Sequence, residues 1–369
     1  MRPLFSLLIV YFSLSAWAQK SSHLIVGTYT GGGSKGIYVY DFNTANGSTQ
    51  AVDSIATSNP SFVTFAPGKK FVYAVNEDGK GKGTGMVTAF SFDRKSGKLT
   101  QLNQQSSGGD HPCYITVDKT GKWVLVGNYS SGSLSVLPIQ KDGSVGVATT
   151  TITHSGSSLN KDRQESAHVH ATLLSADNKY LFVPDLGMDK VMVYRFNAQT
   201  GKLTETPNSV SLQPGSGPRH ISFHPGGKWA YLTQEMAGTI TAFSYSNGKL
   251  RPIQTINMLP ADYKGAATVA DIHVSPDGKY VYASNRDASN TIAIFRINQQ
   301  TGKLSLVGHQ STLGRTPRNF NFDPSGNFLL AANQNTNDIE VFKVDHKTGK
   351  LTATDKAIAV FNPVCILFE

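Results

Sequence analysis

The sequence predicts an all-β, seven-bladed β-propeller made of four-stranded antiparallel blades. Two observations predict this fold: one hairpin pattern recurs six times without gaps, and a third and a fourth strand pattern follow each copy. Four-stranded units that repeat about every 40 to 50 residues are typical of propellers. No stretch has sustained apolar spacing of three and four residues, so we expect almost no helix.

The repeated hairpin is clearest at Gly217–Glu235, where the sequence is GPRHISFHPGGKWAYLTQE. The alternation predicts a strand from Arg219 to Phe223 and, after a turn, a second strand from Trp229 to Gln234. The first residue of the second strand is aromatic in every copy. The six copies are Asn59–Glu77, His111–Tyr129, His168–Leu186, Gly217–Glu235, Thr268–Arg286 and Thr316–Gln334.

The two ends of the chain supply the seventh blade. His23–Thr30, Gly36–Phe42 and Thr49–Ser54 match a second, third and fourth strand, and Asn362–Phe368 matches a first strand. We expect the C-terminal strand to pair with the N-terminal strands and close the ring, because closure removes exposed strand edges. Residues 19–369 are therefore predicted to form a single propeller domain.

Residues 1–18 resemble a secretory signal peptide. Arg2 is followed by an apolar run from Leu4 to Leu14, and the small residues Ala16 and Ala18 flank Trp17 at a cleavage site. The alternative is a retained anchor, but the run is short for a membrane span. We expect cleavage after Ala18, a periplasmic or secreted protein, and no stable membrane insertion after cleavage.

Charge and cysteine content restrict the classes of partner. The chain of 369 residues has a formal charge of +9, but its lysines are spread over recurring Gly-Lys-Leu turns and form no cluster. This pattern argues against nucleic-acid binding and favours anionic ligands only mildly. Cys113 and Cys365 fall on strands that do not adjoin, so two free, buried thiols are expected. The oligomeric state stays open between a monomer and a weak dimer.

Candidate functional residues collect at one mouth of the central channel. The first strand of each blade lines the channel, so the starts of first strands and the ends of second strands meet there. A purely structural repeat would carry similar residues at these positions, yet they diverge toward His, Arg and Glu. The candidates are Glu77, Asn128, Tyr129, His168, His170, Asp185, Arg219, His220, Glu235, Asn285, Arg286, Arg318 and Asn333.

Several of these candidates have a structural alternative. The asparagines at strand ends commonly bond to local backbone, and this alternative is favoured over ligand contact. His168 and His170 would face the same side of a strand, but a metal needs further ligands and the neighbouring positions offer arginines. We therefore expect no metal and no cofactor. The long loop 155–167, with Arg163, is either a cover for the mouth or only a long loop.

The motifs GTYT, HVH, GPRHISFHP, SPDGKYVYASNR, PRNFNFDPSG and NPVCILF together resemble the seven-bladed lactonase family. That family includes propeller-type 6-phosphogluconolactonases and 3-carboxy-cis,cis-muconate cyclases. The resemblance covers nearly all of residues 19–369. It implies that the family's catalytic histidine, two arginines and glutamate correspond to the pair His168 and His170 of the HVH motif, Arg219, Arg286 and Glu235, and of the pair we expect His170 to be catalytic.

The expected function is metal-free hydrolysis of an acidic or sugar-derived lactone, phosphorylated or not. Arg286 and Arg318 would hold the substrate's anionic group, and Arg219 would stabilise the oxyanion. Either Glu235 or His170 would act as general base. Two alternatives stay open: an intramolecular cyclase of the muconate type, and a non-catalytic propeller that binds a glycan or a protein.

Overall fold

The computed structural model describes residues 21–79, 84–287 and 289–369. Within them, the only helical element is a 3-10 turn at Gly31–Gly33. The strands in chain order are β1 (Ser21–Thr28), β2 (Gly36–Asn43), β3 (Thr49–Ala56), β4 (Val63–Phe65), β5 (Phe71–Asn76), β6 (Met86–Asp93), β7 (Lys98–Ser106), β8 (Pro112–Val117), β9 (Trp123–Asn128), β10 (Ser133–Pro138), β11 (Thr150–Thr153), β12 (Leu173–Leu174), β13 (Tyr180–Asp185), β14 (Lys190–Phe196), β15 (Leu203–Glu205), β16 (Val210–Ser211), β17 (Pro218–Phe223), β18 (Trp229–Gln234), β19 (Thr239–Ser246), β20 (Lys249–Asn257), β21 (Val269–Val274), β22 (Tyr280–Asn285), β23 (Thr291–Ile297), β24 (Leu304–Ser311), β25 (Pro317–Phe322), β26 (Phe328–Asn333), β27 (Asp338–Val344), β28 (Leu351–Ala359) and β29 (Pro363–Phe368).

These strands form seven antiparallel sheets, which confirms the predicted propeller. Blade 1 has the order β29-β1-β2-β3, and blades 2 and 3 contain β4–β7 and β8–β11. Blade 4 contains β12–β15, with β16 paired to β14; blades 5, 6 and 7 contain β17–β20, β21–β24 and β25–β28. No helix of the described residues is both long and apolar enough to cross a bilayer. The predicted signal peptide, residues 1–18, lies outside the described residues.

Blade 1 closes the ring as predicted. Strand β29 pairs with β1 through contacts that run from Leu24 opposite Phe368 to Gly27 opposite Cys365. Val364, Cys365 and Ile366 are each only 2% exposed. The closing strand is therefore part of the core. Cys365 and Cys113 are both buried and free, as the sequence predicted.

The aromatic residue at the start of each second strand packs on a glycine of the next blade. A Cβ atom built on Gly302 of blade 6 would lie 2.4 Å from the ring of Trp229 in blade 5. The glycine has a φ of 71°, which it adopts without strain. The same contact links the other blades in turn, through the pairs Phe71–Gly143, Trp123–Gly201, Tyr180–Gly248, Tyr280–Gly349, Phe328–Gly47 and, from blade 1, His23–Gly97.

A β-bulge interrupts the first strand of several blades at the mouth. In blade 5, Pro218 pairs with Gln234 while Ile221 pairs with Leu232, so β17 has one extra residue. A bulge turns neighbouring side chains out of strict alternation. Arg219 and His220 are consecutive in sequence, yet both are buried and their side chains are in contact. Comparable register shifts occur in blades 1, 3, 6 and 7.

Blade 4 departs from the predicted hairpin. Val169 makes only an isolated bridge with Asp185, and His168 and His170 on either side of it lie outside any strand. The backbone N–H of His170 still donates to the carbonyl oxygen of Pro184. The segment therefore follows β13 without forming a regular ladder, and its histidines do not take their positions from strand alternation.

Candidate active site

A polar cavity of about 260 Å³ lies at the mouth where the sequence placed the candidate site. Its walls come from blades 2 to 7 and from the loop 155–167 of blade 4. The lining residues are Glu77, Cys113, Tyr129, Arg163, His170, Glu235, Arg286 and Arg318. Six of these eight were among the candidates from the sequence; the others are Cys113 and Arg163.

Glu235 is the electrostatic centre of the cavity. Its Oε2 lies 3.0 Å from Nε of Arg219 and 3.1 Å from Nη2 of Arg286. Its Oε1 accepts a hydrogen bond of 2.8 Å from Nη2 of Arg163. Burial raises the pKa of the Glu235 carboxyl, but the three arginines outweigh burial and lower it to about 2. Glu235 is consequently ionised at neutral pH, and both of its carboxylate oxygens contact arginines.

Arg219 lies behind Glu235 and is almost completely buried. Its Nη1 donates to the carbonyl oxygen of Ala270 at 2.7 Å and to Nε2 of His220 at 3.1 Å. The Nε–H does not point along its short contact with Glu235, so that contact is ionic rather than a hydrogen bond. Burial, with repulsion from the neighbouring arginines, lowers the pKa of Arg219 to about 10. The guanidinium therefore stays charged at pH 7.

Arg286 and Arg318 provide two further cationic groups in the cavity wall. Arg286 donates from Nε to the carbonyl oxygen of Thr268 at 2.9 Å, which fixes its guanidinium group. Arg318 has a looser environment: its Nη2 is 3.9 Å from Oε1 of Glu77, and its guanidinium carbon lies 5.3 Å from the ring centre of Tyr29. Arg318 is therefore well placed to exchange its protein contacts for a ligand anion.

His170 contributes a neutral imidazole to the wall. Burial and the nearby positive charge of Arg219 hold the pKa of His170 well below its usual value. Its Nε2 lies 4.0 Å from Oε2 of Glu235, and its Nδ1 lies 3.7 Å from Sγ of Cys113. Burial raises the pKa of the Cys113 thiol, so the sulfur next to this imidazole is a thiol rather than a thiolate.

The loop 155–167 brings Arg163 into the site. The Arg163 side chain is 42% exposed and contacts both Glu235 and, at 3.3 Å, the hydroxyl of Tyr129. The buried amide of Gln164 anchors the loop by donating to the carbonyl oxygen of Leu186. Of the two alternatives for this loop, the one that covers the mouth agrees with the structure.

Four predicted ligand contacts are occupied by the protein itself. Asn128, Asn285 and Asn333 are fully buried and bond to nearby backbone or hydroxyl groups, as the structural alternative anticipated. Asp185 is also fully buried; it accepts from Nδ1 of His154 and from the backbone N–H of His168. None of these four side chains lines the cavity, so direct contact with a substrate held there does not fit their positions.

His168 and His220 lie one layer behind the cavity wall. The ring of His168 stacks on Tyr129 at 4.5 Å, and its Nδ1 donates to the carbonyl oxygen of Tyr129. His220 bonds to Arg219 on one side and, at 2.8 Å, to Oδ1 of Asp271 on the other. Their predicted role as direct substrate ligands does not fit these positions, but His168 supports Tyr129 in the cavity wall and His220 supports Arg219 directly behind it.

Sequence reasoning missed Asp271. It is a buried carboxylate on β21 that bonds to two histidines, His220 and His273. Strand alternation gave no signal for it, because the bulge in β21 determines which way Asp271 points. The available signal was its column of the repeat, in which three consecutive blades carry the polar residues His220, Asp271 and Asn319. Among the described residues, no group of three or more His, Cys, Asp or Glu has a geometry that could hold a metal.

The fold and the mouth define a seven-bladed propeller whose cavity combines a cluster of arginines with a buried glutamate and a neutral histidine. The chain belongs to the seven-bladed β-propeller lactonase family, since the family model "Lactonase, 7-bladed beta-propeller" matches residues 23–368. A relative from Formosa agariphila named 6-phosphogluconolactonase is 40% identical over 331 residues, which cover 88% of this chain and 93% of the relative.

Two solved structures are similar at the same level. A putative 6-phosphogluconolactonase from Bacteroides fragilis superposes with a TM-score of 0.90 and 41% identity, covering 95% of this chain and 98% of its own. A periplasmic gluconolactonase from Pseudomonas aeruginosa has a TM-score of 0.90 and 39% identity, covering 94% and 99%. The family, the fold class and the lactonase class predicted from sequence are thereby confirmed.

Proposed function

We propose that this protein hydrolyses the lactone ring of a sugar-derived substrate that carries an anionic group. One observation carries the proposal: three arginines, 163, 286 and 318, line the cavity with two glutamates, 77 and 235, and Arg219 lies directly behind Glu235. Three positive and two negative charges leave a surplus of one positive charge among the lining residues. Arginine side chains suit carboxylate and phosphate groups because they donate in a planar fork.

His170 is the general base in this proposal, and Glu235 anchors the arginines. A base must be unprotonated and free to take a proton at working pH. The lowered pKa keeps the His170 imidazole neutral, and Nε2 is directed toward the Glu235 side of the cavity. Glu235 is ionised, but its pKa of about 2 and its three arginine partners make it a poor proton acceptor. A correctly placed base contributes on the order of 10²–10⁴-fold in rate.

In this mechanism the charge of Arg219 stabilises the oxyanion from directly behind the cavity wall, since Arg219 does not itself line the cavity. Its Nη1 and Nε are committed to protein partners, whereas within the described residues its Nη2 makes no hydrogen bond. A cation fixed before the reaction stabilises developing charge without reorganisation. Arg286 and Arg318 hold the anionic substituent of the substrate, and Arg163 contributes from the loop.

The reaction then needs only the groups of the cavity. Water attacks the lactone carbonyl carbon while His170 takes one of its protons at Nε2, and the carbonyl oxygen becomes an oxyanion on the side of the cavity behind which Arg219 lies. When the tetrahedral intermediate collapses, the ring C–O bond breaks and His170 returns the proton to the leaving ring oxygen. The product is the open hydroxy acid, which ionises to its carboxylate at neutral pH.

The proposal includes export from the cytoplasm. The first 18 residues have the pattern of a cleavable signal peptide, and the Pseudomonas aeruginosa relative is described as periplasmic. A substrate met outside the cytoplasm is a free sugar lactone or acid lactone more readily than a phosphorylated one. Fractionation of the native host, with mass spectrometry of the mature N-terminus, tests cleavage after Ala18.

A pH-stat assay tests the activity itself. Purified protein lacking residues 1–18 is mixed with a panel of neutral, carboxylated and phosphorylated sugar lactones, with and without a chelator. We expect acid release above the spontaneous rate, fastest with an anionic lactone and unchanged by the chelator. His170→Gln should remove most of it, while His346→Gln, at an exposed histidine bonded to Asn327, is the matched control. No acid release from any lactone would contradict the proposal.

A further inference from the structure

A chain of polar contacts extends from Glu235 in the cavity wall to buried residues behind it. Glu235 contacts Arg219, Nη1 of Arg219 donates to Nε2 of His220, and Nδ1 of His220 bonds to Oδ1 of Asp271. Beyond it, Nε2 of His273 bonds to Oδ2 of Asp271 at 2.9 Å. These links join blade 5 to blade 6, so they couple residues about fifty positions apart in the chain.

The chemistry of this chain determines one tautomer of His220. An arginine can only donate, so Nε2 of His220 has to accept and must carry no proton. The proton of the neutral ring therefore lies on Nδ1 and is donated to Asp271. Burial and the charge of Arg219 lower the pKa of His220 to about 4, which keeps the ring neutral at working pH.

Asp271 is equipped to fix that proton. Its Oδ1 accepts from His220 at 2.8 Å and from the backbone N–H of Ile272 at 2.9 Å. Its Oδ2 accepts from His273 and from Nδ2 of Asn319, whose own Oδ1 is occupied by the backbone of blade 1. Four acceptor contacts match the capacity of an ionised carboxylate. Asp271 is almost completely buried and does not line the cavity, so it has no direct contact with substrate.

We propose that Asp271 is a positioning residue for the lactonase reaction, because it holds His220 as the Nδ1-protonated tautomer and thereby fixes Arg219 toward the cavity. Arg219 needs such a constraint. Arg286 and Arg318 repel it, and its Nη1 is fixed only by the carbonyl of Ala270 and by His220. The activity part of this inference rests on the proposed function, whereas the tautomer part does not.

Substituting Asp271 by asparagine separates charge from shape. In one orientation the NH₂ of the new asparagine faces His220, so the ring proton moves to Nε2 and meets the N–H of Arg219. In the other orientation the same NH₂ faces the NH₂ of Asn319. Each orientation places one hydrogen-bond donor against another. We expect Asp271→Asn to lower kcat on the order of 10- to 100-fold, as for other residues that orient a catalytic group, with a smaller change in KM. The control is Asp323→Asn, at an equally buried carboxylate that caps the β25–β26 turn.

A double-mutant cycle with His220→Phe distinguishes positioning from a merely structural role. Phenylalanine keeps an aromatic ring at this position but has no nitrogen, so it cannot link Asp271 to Arg219. In the His220→Phe protein, Asp271→Asn should therefore cost less than a third of its effect on kcat in the natural protein. An equal cost in both backgrounds would overturn the proposal.

The tautomer itself is measurable without any substrate. In ¹⁵N-histidine-labelled protein, the signal that disappears in His220→Gln should show a protonated Nδ1 and a bare Nε2 between pH 5 and 8. Asp271→Asn should shift that signal toward protonation at Nε2. A wild-type ring protonated at Nε2, or at both nitrogens, would overturn the proposal even if lactones are hydrolysed. If the tautomer is as expected but no lactone is opened, the proposed function fails and not the geometry.

Discussion

Replacing Glu235 by glutamine removes the negative charge from the centre of the cavity while keeping the size of the side chain. In the wild-type protein this buried carboxylate contacts Arg163, Arg219 and Arg286. The substitution leaves these guanidinium groups close to one another without a counter-ion. We expect loss of both stability and activity, because the guanidinium groups repel one another once the carboxylate between them is gone.

The magnitude follows from the pKa of Glu235. The surroundings lower it from 4.5 to about 2, and each pKa unit corresponds to about 1.4 kcal/mol. The native environment therefore stabilises the ionised carboxylate by about 3 kcal/mol. Removing one partner of a buried ion pair typically costs about 3–5 kcal/mol, which agrees. We expect Glu235→Gln to lower the free energy of unfolding at pH 7 by about 3 kcal/mol.

Urea denaturation at several pH values measures this loss. The folded pKa of Glu235 is below the unfolded one, so its stabilisation is complete above pH 4.5 and disappears as the pH falls through about 2. The difference between wild type and variant should therefore be largest at pH 7 and shrink below pH 4.5. Glu205→Gln, on the exposed strand β15, is the control and should change little.

The same experiment discriminates between the two roles considered for Glu235. An anchor for arginines loses stability and activity together when its charge is removed. A general base exposed to substrate would lose activity with almost no loss of stability. Equal unfolding free energies for wild type and Glu235→Gln at pH 7, combined with an inactive variant, would refute the assignment of Glu235 as anchor and of His170 as base.

Three further outcomes test closure, local geometry and the base. Deleting residues 362–369 removes β29, whose three most buried side chains contribute about 5–9 kcal/mol to the free energy of unfolding. This loss is similar to the whole stability of many domains. Calorimetry should therefore show no wild-type melting transition, and an unchanged transition would contradict closure. Gly187→Ala would place Cβ 1.8 Å from the carbonyl oxygen of Ser166 and displace the HVH segment, so kcat should fall at least about tenfold. The control Gly308→Ala, at a glycine with open space around it, should not change kcat. Because the pKa of His170 is lowered, kcat/KM should stay constant as the pH falls from 8 to 6.5 and decrease only at lower pH, as the imidazole becomes protonated; a decrease centred at 6.5 would argue against His170 as base.

Much of the site could be located from the sequence because the mouth positions can be read from the repeat. Arg219, Glu235, Arg286 and Arg318 occupy repeat positions that diverge from the other copies, and all four meet at the cavity or directly behind it. Divergence within a repeated column was the informative signal. A position that differs between copies is not required to build the blade, so its side chain at the mouth can serve binding or catalysis.

The same reasoning failed where a polar side chain had a structural partner that the sequence does not reveal. Asn285 is as polar as a ligand-binding asparagine, but its amide already has partners in the protein: Oδ1 accepts from the N–H of Thr268, and Nδ2 donates to the hydroxyl of Ser289. Conversely, Asp271 was not among the candidates from the sequence, yet it is paired with His220 from the preceding blade. Partners that lie on adjacent blades cannot be identified by a pattern that is read one blade at a time.

The sequence by itself determined the seven blades, the closing strand and the end of the channel that carries the site. Strand alternation and the aromatic column are local patterns, and because they repeat they can be recognised in the sequence alone. Only the tertiary structure decided which side chains meet. A bulge of one residue brings Arg219 and His220 to the same side, and the loop carrying Arg163 reaches Glu235 across 72 positions. Such contacts depend on the packing of neighbouring blades, because no local rule links residues that far apart.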